Sequence, residues 1–237
     1  LSTLCKAPTT TSIGGRGGYL KTLQSGTSGD PHALQDLTYA TSDTGNLLSN
    51  VDSRLGQAQS FIYDVLDRLL IASQGGAITT ISYDLAGRKT GMQDPDMGAW
   101  SYAYDALGNL TRQTDARGQL VCLYYDSLNR LTGKHYRQDD QCPGSPSLDI
   151  AYGYDLVSST FGIGMRSVMT DTTGVTSWSY DARGQVVEEV RLVTGYGTFK
   201  TAWEYNSAGL LSAMSYPSGN TGQLGEAVAY SYLPQLS

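Results

Sequence analysis

Tyr-Asp recurs along this chain at near-regular intervals, and the recurrence limits the fold more than any other feature. It stands at Tyr63-Asp64, Tyr83-Asp84, Tyr104-Asp105, Tyr125-Asp126, Tyr154-Asp155 and Tyr180-Asp181, with Tyr205-Asn206 as a seventh copy and Tyr232 opening an eighth. Successive tyrosines are 20, 21, 21, 29, 26, 25 and 27 residues apart, so the early units are tight and the later ones carry insertions. A period of this size marks a repeat of one supersecondary unit. Two residues before each tyrosine stand Phe61, Ile81, Tyr102, Leu123, Tyr152, Trp178, Trp203 and Tyr230, every one large and apolar or aromatic. Residues two apart on a strand share a face, so each unit lays two large side chains along one side of a strand.

The residues after the tyrosine specify a turn. Asp at the first position of a type I turn accepts a bond from a nearby backbone N–H, and a residue of positive φ at the fourth closes a hairpin through a bulge. Asp84 with Gly87, Asp105 with Gly108, Asp181 with Gly184, and Gly209 after Asn206 fit this pattern. Asn129 follows Asp126 in the same register, and Asp67 follows Asp64; both residue types tolerate the left-handed region better than most. The unit at Tyr154 runs on through Leu156-Val157-Ser158-Ser159 and predicts a longer, irregular turn. A second turn, such as Asp94-Pro95-Asp96-Met97-Gly98, Asp115-Ala116-Arg117-Gly118 or Asp171-Thr172-Thr173-Gly174, precedes several units. Each unit is therefore two short strands and two turns, and the chain predicts an all-β meander of repeated antiparallel hairpins with about sixteen strands.

Composition agrees and excludes other classes. The chain of 237 residues has 28 Gly and only 16% charged residues, which disfavours a coiled coil or a charged helical bundle. Tyrosine outnumbers phenylalanine 17 to 3, which suits rings half packed and half wet, with a hydroxyl that finds water or a backbone partner. A net charge of −6 without a basic block argues against nucleic acid. No apolar run approaches a membrane span, so no membrane insertion by this segment is expected, and no signal-peptide pattern opens it.

The motif resembles the YD repeat of the RHS family, which includes bacterial RHS and wall-associated proteins, the shell of insecticidal toxin complexes, and teneurins. The residues carrying the resemblance are Tyr83-Asp84-Leu85-Ala86-Gly87-Arg88, Tyr104 to Leu110, Tyr125 to Leu131, and Tyr216-Pro217-Ser218-Gly219. The resemblance implies a curved, spiralling sheet that forms part of a hollow YD shell. It implies a non-enzymatic scaffold whose partners are the remainder of the same RHS chain and an enclosed C-terminal effector, in a secreted or cell-surface protein. It also raises an alternative, a glycan-binding or adhesion module using exposed aromatic rows. The family's self-cleaving segment is not carried over, because Asp94-Pro95-Asp96-Met97-Gly98-Ala99 lacks the leucine that should follow the glycine.

Sugar stacking, in the alternative reading, falls to Trp100, Tyr102, Trp178 and Trp203. Recurrence at every unit favours a structural ladder instead, since a binding site concentrates in one place. Glu188 and Glu189 point to opposite faces of a strand and do not converge. His32 and His135 stand without the spacing of a metal site or a catalytic triad, so no metal, cofactor or catalytic residue is expected. Ile13-Gly14-Gly15-Arg16-Gly17-Gly18 follows no strand-to-helix pattern and reads as a leader rather than a phosphate loop.

Cys5, Cys122 and Cys142 make an odd count. Cys142 lies in the inserted stretch Gln138 to Pro146, and a hairpin through 126–137 could return that loop to Cys122; spacing leaves the pairing open. Residues 1–38 match no unit and are expected to be a poorly ordered leader or an incomplete repeat. Residues 39–237 are expected to form the YD-repeat sheet, cut inside its last unit, with open edges that invite association.

Overall fold

The computed structural model describes residues 9–13, 18–27, 29–30, 32–139, 141–155 and 161–232. Among them are nineteen strands and no helix. The chain divides into two compact units, residues 1–103 with 113–119, and residues 104–112 with 120–237.

The first unit holds β1 (Thr9–Ile13), β2 (Leu20–Ser25), β3 (Gln35–Thr41), β4 (Leu47–Asp52), β5 (Gln57–Tyr63), β6 (Leu69–Gln74), β7 (Ala77–Tyr83), β8 (Lys89–Asp94) and nearly all of β9 (Gly98–Tyr104). Each pairs antiparallel with the next, a plain meander. The division falls near the end of β9 and within β10 (Leu110–Thr114). The second unit continues the same way through β11 (Leu120–Tyr125), β12 (Leu131–Arg137), β13 (Ile150–Tyr154), β14 (Arg166–Asp171), β15 (Gly174–Tyr180), β16 (Val186–Val193), β17 (Gly197–Tyr205), β18 (Leu211–Pro217) and β19 (Leu224–Ala229).

The strand count exceeds sixteen because the meander begins before the first Tyr-Asp unit. β1, β2 and the start of β3 lie within residues 1–38, which carry no motif. A strand needs only extended backbone and a neighbour to pair with, and β2 and β3 supply each other through Thr22↔Thr38 to Ser25↔Gln35.

Alternation is clearest in the first unit. Phe61 and Tyr63 are half-buried while Ser60 and Ile62 are exposed, and Trp100, Tyr102 and Ala103 repeat the pattern. The hydrophobic core is thin. Leu120 and Cys122 are the fully buried apolar side chains among the described residues, and both lie on β11.

The two kinds of strand pairing differ in length. Inside a repeat the ladder runs to the tyrosine itself, as in Tyr63↔Leu69, Tyr83↔Lys89 and Tyr205↔Leu211, with a register shift one residue earlier. Between repeats it stops short. β6 meets β7 only from Ile71↔Thr80 to Gln74↔Ala77, β14 meets β15 from Val168↔Ser177, and β16 meets β17 from Glu188↔Ala202. Neighbouring hairpins are thus zipped at one end and unpaired at the Asp-x-x-Gly end.

Candidate functional site

The recurring site is the unpaired end of each hairpin. It begins with the turn, where backbone bonds run from Gly87 to Asp84, Gly108 to Asp105, Asn129 to Asp126, Gly184 to Asp181 and Gly209 to Asn206. The fourth residue takes positive φ each time, including Asn129 at 62° and Asp67 at 60°. This is a type I turn closed by a left-handed bulge residue. The carboxylate of Asp126 accepts from the N–H groups of Leu128 and Arg130 and from Arg130 Nε at 2.9, 2.9 and 2.8 Å. Asp64 and Asp84 repeat this with Arg68 and Arg88, Asp105 with Asn109, and Asn206 reproduces the backbone half alone. These bonds favour the ionised form. The N–H of Arg68, Arg88 or Arg130 leads in holding Asp64, Asp84 and Asp126 below the usual carboxylate range, and the Asn109 side chain does so for Asp105.

At six units the repeat tyrosine bridges the gap to the preceding hairpin. Tyr83 Oη donates to the Leu69 carbonyl at 2.9 Å, Tyr125 to Leu110 at 2.9 Å and Tyr154 to Leu131 at 2.9 Å. Tyr180 donates to Arg166 at 2.7 Å, Tyr205 to Val186 at 3.0 Å and Tyr232 to Leu211 at 2.9 Å. Leu69, Arg166 and Val186 all lie beyond the last ladder pair, so the phenol takes the place of a missing strand N–H. A phenylalanine would leave those carbonyls to water, which accounts for the tyrosine at these six positions. Burial raises the Tyr125 and Tyr180 hydroxyls above the ordinary phenol value and keeps them protonated as donors.

The residue after the bulge completes the link. Arg68 bonds Asp64, lies 4.9 Å over the Tyr83 ring and donates through Nη1 to the Asp84 carbonyl at 3.1 Å. Arg130 bonds Asp126, lies 4.5 Å over the Tyr154 ring and pairs with Asp155 at 2.7 Å. Where arginine is absent, Gln185 reaches the Gly209 carbonyl at 3.0 Å and Asn109 reaches Asn129 at 3.0 Å. Sequence reading missed this role. The available signal was a polar residue four positions after the turn Asp, with Arg68, Arg88 and Arg130 in three of the units.

One stretch departs from the repeat. Cys122 and Cys142 are disulfide-bonded with Cα atoms 5.7 Å apart, which lays the loop of residues 141–149 over the face of β11 and β12. Tyr124 Oη donates to the Pro143 carbonyl at 2.8 Å, and Leu148 fills the space that a side chain at Gly133 would take. Tyr124 and Gly133 are cross-strand partners, as are Cys122 and His135, so these contacts share one face. At the foot of the loop Asp149 accepts from the Tyr136 N–H at 2.7 Å and faces His135 Nδ1 at 2.8 Å, while Arg137 pairs with Asp139.

Comparison with known proteins follows the same geometry. The family model described as RHS Repeat matches residues 99–120 and, overlapping them, 104–141. Residues 99–141 thus match the RHS repeat. No curated protein matches the sequence. Among solved structures, the fold is similar to the complex of TcdB2-TccC3 with Cdc42 (TM-score 0.59, 15% identity), covering 93% of this chain and 14% of that one. It is similar also to the Tc holotoxin pore of Photorhabdus luminescens (TM-score 0.61, 14% identity), covering 92% of this chain and 13% of that one. TcdB2-TccC3 without its hypervariable C-terminal region gives TM-score 0.58 at 13% identity, again over 93% of this chain and 14% of the other. The chain thus spans about one seventh of these structures' length, and what they share with it is the fold.

The repeated hairpins set where the remaining candidates fall. Trp100 and Tyr102 lie on β9, Trp178 on β15 and Trp203 on β17, spread through the repeats rather than gathered. Trp100 Nε1 donates to the Met97 carbonyl at 3.1 Å, beside a shallow cleft of about 410 Å³ between the Pro95–Gly98 and Asp115–Arg117 turns. Trp178 Nε1 donates to Glu189 at 2.8 Å, and Arg166 covers its ring at 4.6 Å. Glu188 instead pairs with Lys200 at 2.6 Å, so the two adjacent glutamates serve separate contacts. His32 and His135, isolated in sequence, each meet one carboxylate, Asp36 at 3.3 Å and Asp149 at 2.8 Å. Asp155 follows Tyr154 into a long turn, with φ 59° and its N–H bonded to the Met165 carbonyl. Cys5, Gly14 to Gly17, Asp140 and Leu156 to Ser159 lie outside the described residues.

Proposed function

We propose that this chain is a length of non-enzymatic RHS-repeat wall, which encloses or displays another polypeptide in a secreted toxin assembly of the kind it resembles. The observation that carries the reading is the repeated tyrosine-to-carbonyl bridge. At six units it joins a hairpin to the one before through a side chain that the repeat supplies, so the wall extends by adding units. The turn Asp residues close the hairpin ends, and Arg68, Arg130, Asn109 and Gln185 after them serve the same junctions, so they are accounted for without chemistry on a substrate. The partners in this reading are further RHS repeats and an enclosed effector.

Protease protection tests it, using the full reading frame that encodes this chain. Polypeptide encoded beside the repeats should resist trypsin while the repeats are folded, and be cut once mild urea unfolds them. Cleavage of those segments at one rate, whether the repeats are folded or not, would overturn the reading.

A further inference from the structure

In the first unit the face opposite the tyrosines is open. Ile62 is 52% exposed there, and Ser82 and Ala103 are exposed in the same register. At β11 and β12 the chain crosses over it, and the apolar side chains sealed from solvent among the described residues, Leu120 and Cys122, lie there. The loop held by Cys142 lies on the face that carries both. The two sulfur-bearing residues differ in access: Cys122 is 0% exposed, whereas Cys142 is on the surface. The loop also interrupts the sheet, since β12 and β13 share only Gly133↔Ala151 and Lys134↔Ile150.

The hairpins beneath do not depend on the loop. Their turns close through Asp126 and Arg130, and their bridges run from Tyr125 to Leu110 and from Tyr154 to Leu131, from residues in register with the tyrosine column. The loop's other contacts include one phenol bond, the Leu148 packing, backbone bonds joining Asp149 to Tyr136 and Lys134, and the pairs His135–Asp149 and Arg137–Asp139. Cutting one covalent bond therefore removes the main restraint on the loop and none of the restraints on the repeats.

We propose that the Cys122–Cys142 bond is a redox-operated latch, by which a low-molecular-weight thiol releases the loop of residues 141–149 and uncovers Leu120 while the repeat hairpins stay folded. A thiolate attacks the Cys142 sulfur, forming a mixed disulfide there as the S–S bond breaks and Cys122 leaves as a thiolate, which takes up a proton. A second thiol attacks the mixed disulfide, freeing Cys142 and leaving the reductant as its own disulfide. Two electrons pass from the thiol pair to the protein.

Hydrogen exchange on the intact chain, before and after dithiothreitol, reads the outcome. Amides of residues 141–149 should exchange about a hundredfold faster once the loop is no longer tethered, while β15 and β16 keep their protection. Cys122 should become open to alkylation under the same native conditions. A Cys142→Ser variant should reproduce the reduced pattern without any reductant. Unchanged exchange in the loop after reduction would overturn the latch, and so would loss of protection throughout β11 to β16, which would make the bond a general staple.

Discussion

Tyr205→Phe isolates the bridge between hairpins. The substitution keeps the ring and removes only the hydroxyl that donates to Val186 at 3.0 Å. That carbonyl lies beyond the β16–β17 ladder, which begins at Glu188↔Ala202, so no strand N–H can replace the phenol without repacking. A net hydrogen bond contributes about 1 kcal/mol, and a carbonyl left dry costs ~1–3 kcal/mol. Tyr205 is half-buried, so water reaches part of the site and the lower figure applies. The expected loss is about 1 kcal/mol, which in a chain of this size lowers Tm by roughly 2–4 °C. Urea unfolding followed by circular dichroism measures it. Tyr196→Phe is the control, because Tyr196 sits 73% exposed in the β16–β17 turn, and it should change nothing measurable. Equal stability of the two variants would refute the reasoning, since it would mean that water serves the Val186 carbonyl as well as the phenol does.

Other consequences follow from the turns and the loop. The carboxyls of Asp64, Asp84, Asp105 and Asp126 are held low, so the stability they contribute is complete above the unfolded carboxylate value of about 3.9 and is lost as pH falls through the lower folded values. Below about pH 4 the Arg130 amide should lose exchange protection while the Leu210 amide, held by the non-titrating Asn206, keeps its own; parallel loss at both would contradict this. Gly108→Ala meets no neighbour within 4 Å but must hold φ +91°, so urea unfolding should show a cost of ~1–2 kcal/mol from conformation alone. Gly133→Ala brings a methyl against Leu148 and 2.9 Å from the Ile150 carbonyl, so loop amides should exchange faster while the Tyr180 to Val186 hairpin is unaffected.

How much of this could be read from the residues depended on distance along the chain. The turn was legible because Asp126 and Asn129 are three residues apart and both ends of the motif are local. The phenol's need for a partner was legible in the bias of tyrosine over phenylalanine, but not the partner, since Leu69 lies 14 residues before Tyr83 and Leu131 23 before Tyr154. Arg68 was hidden for a related reason. Its bond to Asp64 is local, yet its place over Tyr83 exists only once the next hairpin is laid alongside. β1 and β2 carry no motif, because a strand that joins an existing edge needs extended backbone more than a signature. In the inserted loop the cysteines were visible, whereas the face it covers depended on the Tyr124 and Gly133 register.

The most direct test of the tyrosine bridge is hydroxyl proton exchange by NMR on protein labelled at the tyrosine ζ carbon. The hydroxyl protons of Tyr83, Tyr125, Tyr154 and Tyr205 should exchange with water far more slowly than that of Tyr196. Uniformly fast exchange across all five would show that the phenols face solvent, and that something other than these bonds joins one hairpin to the next.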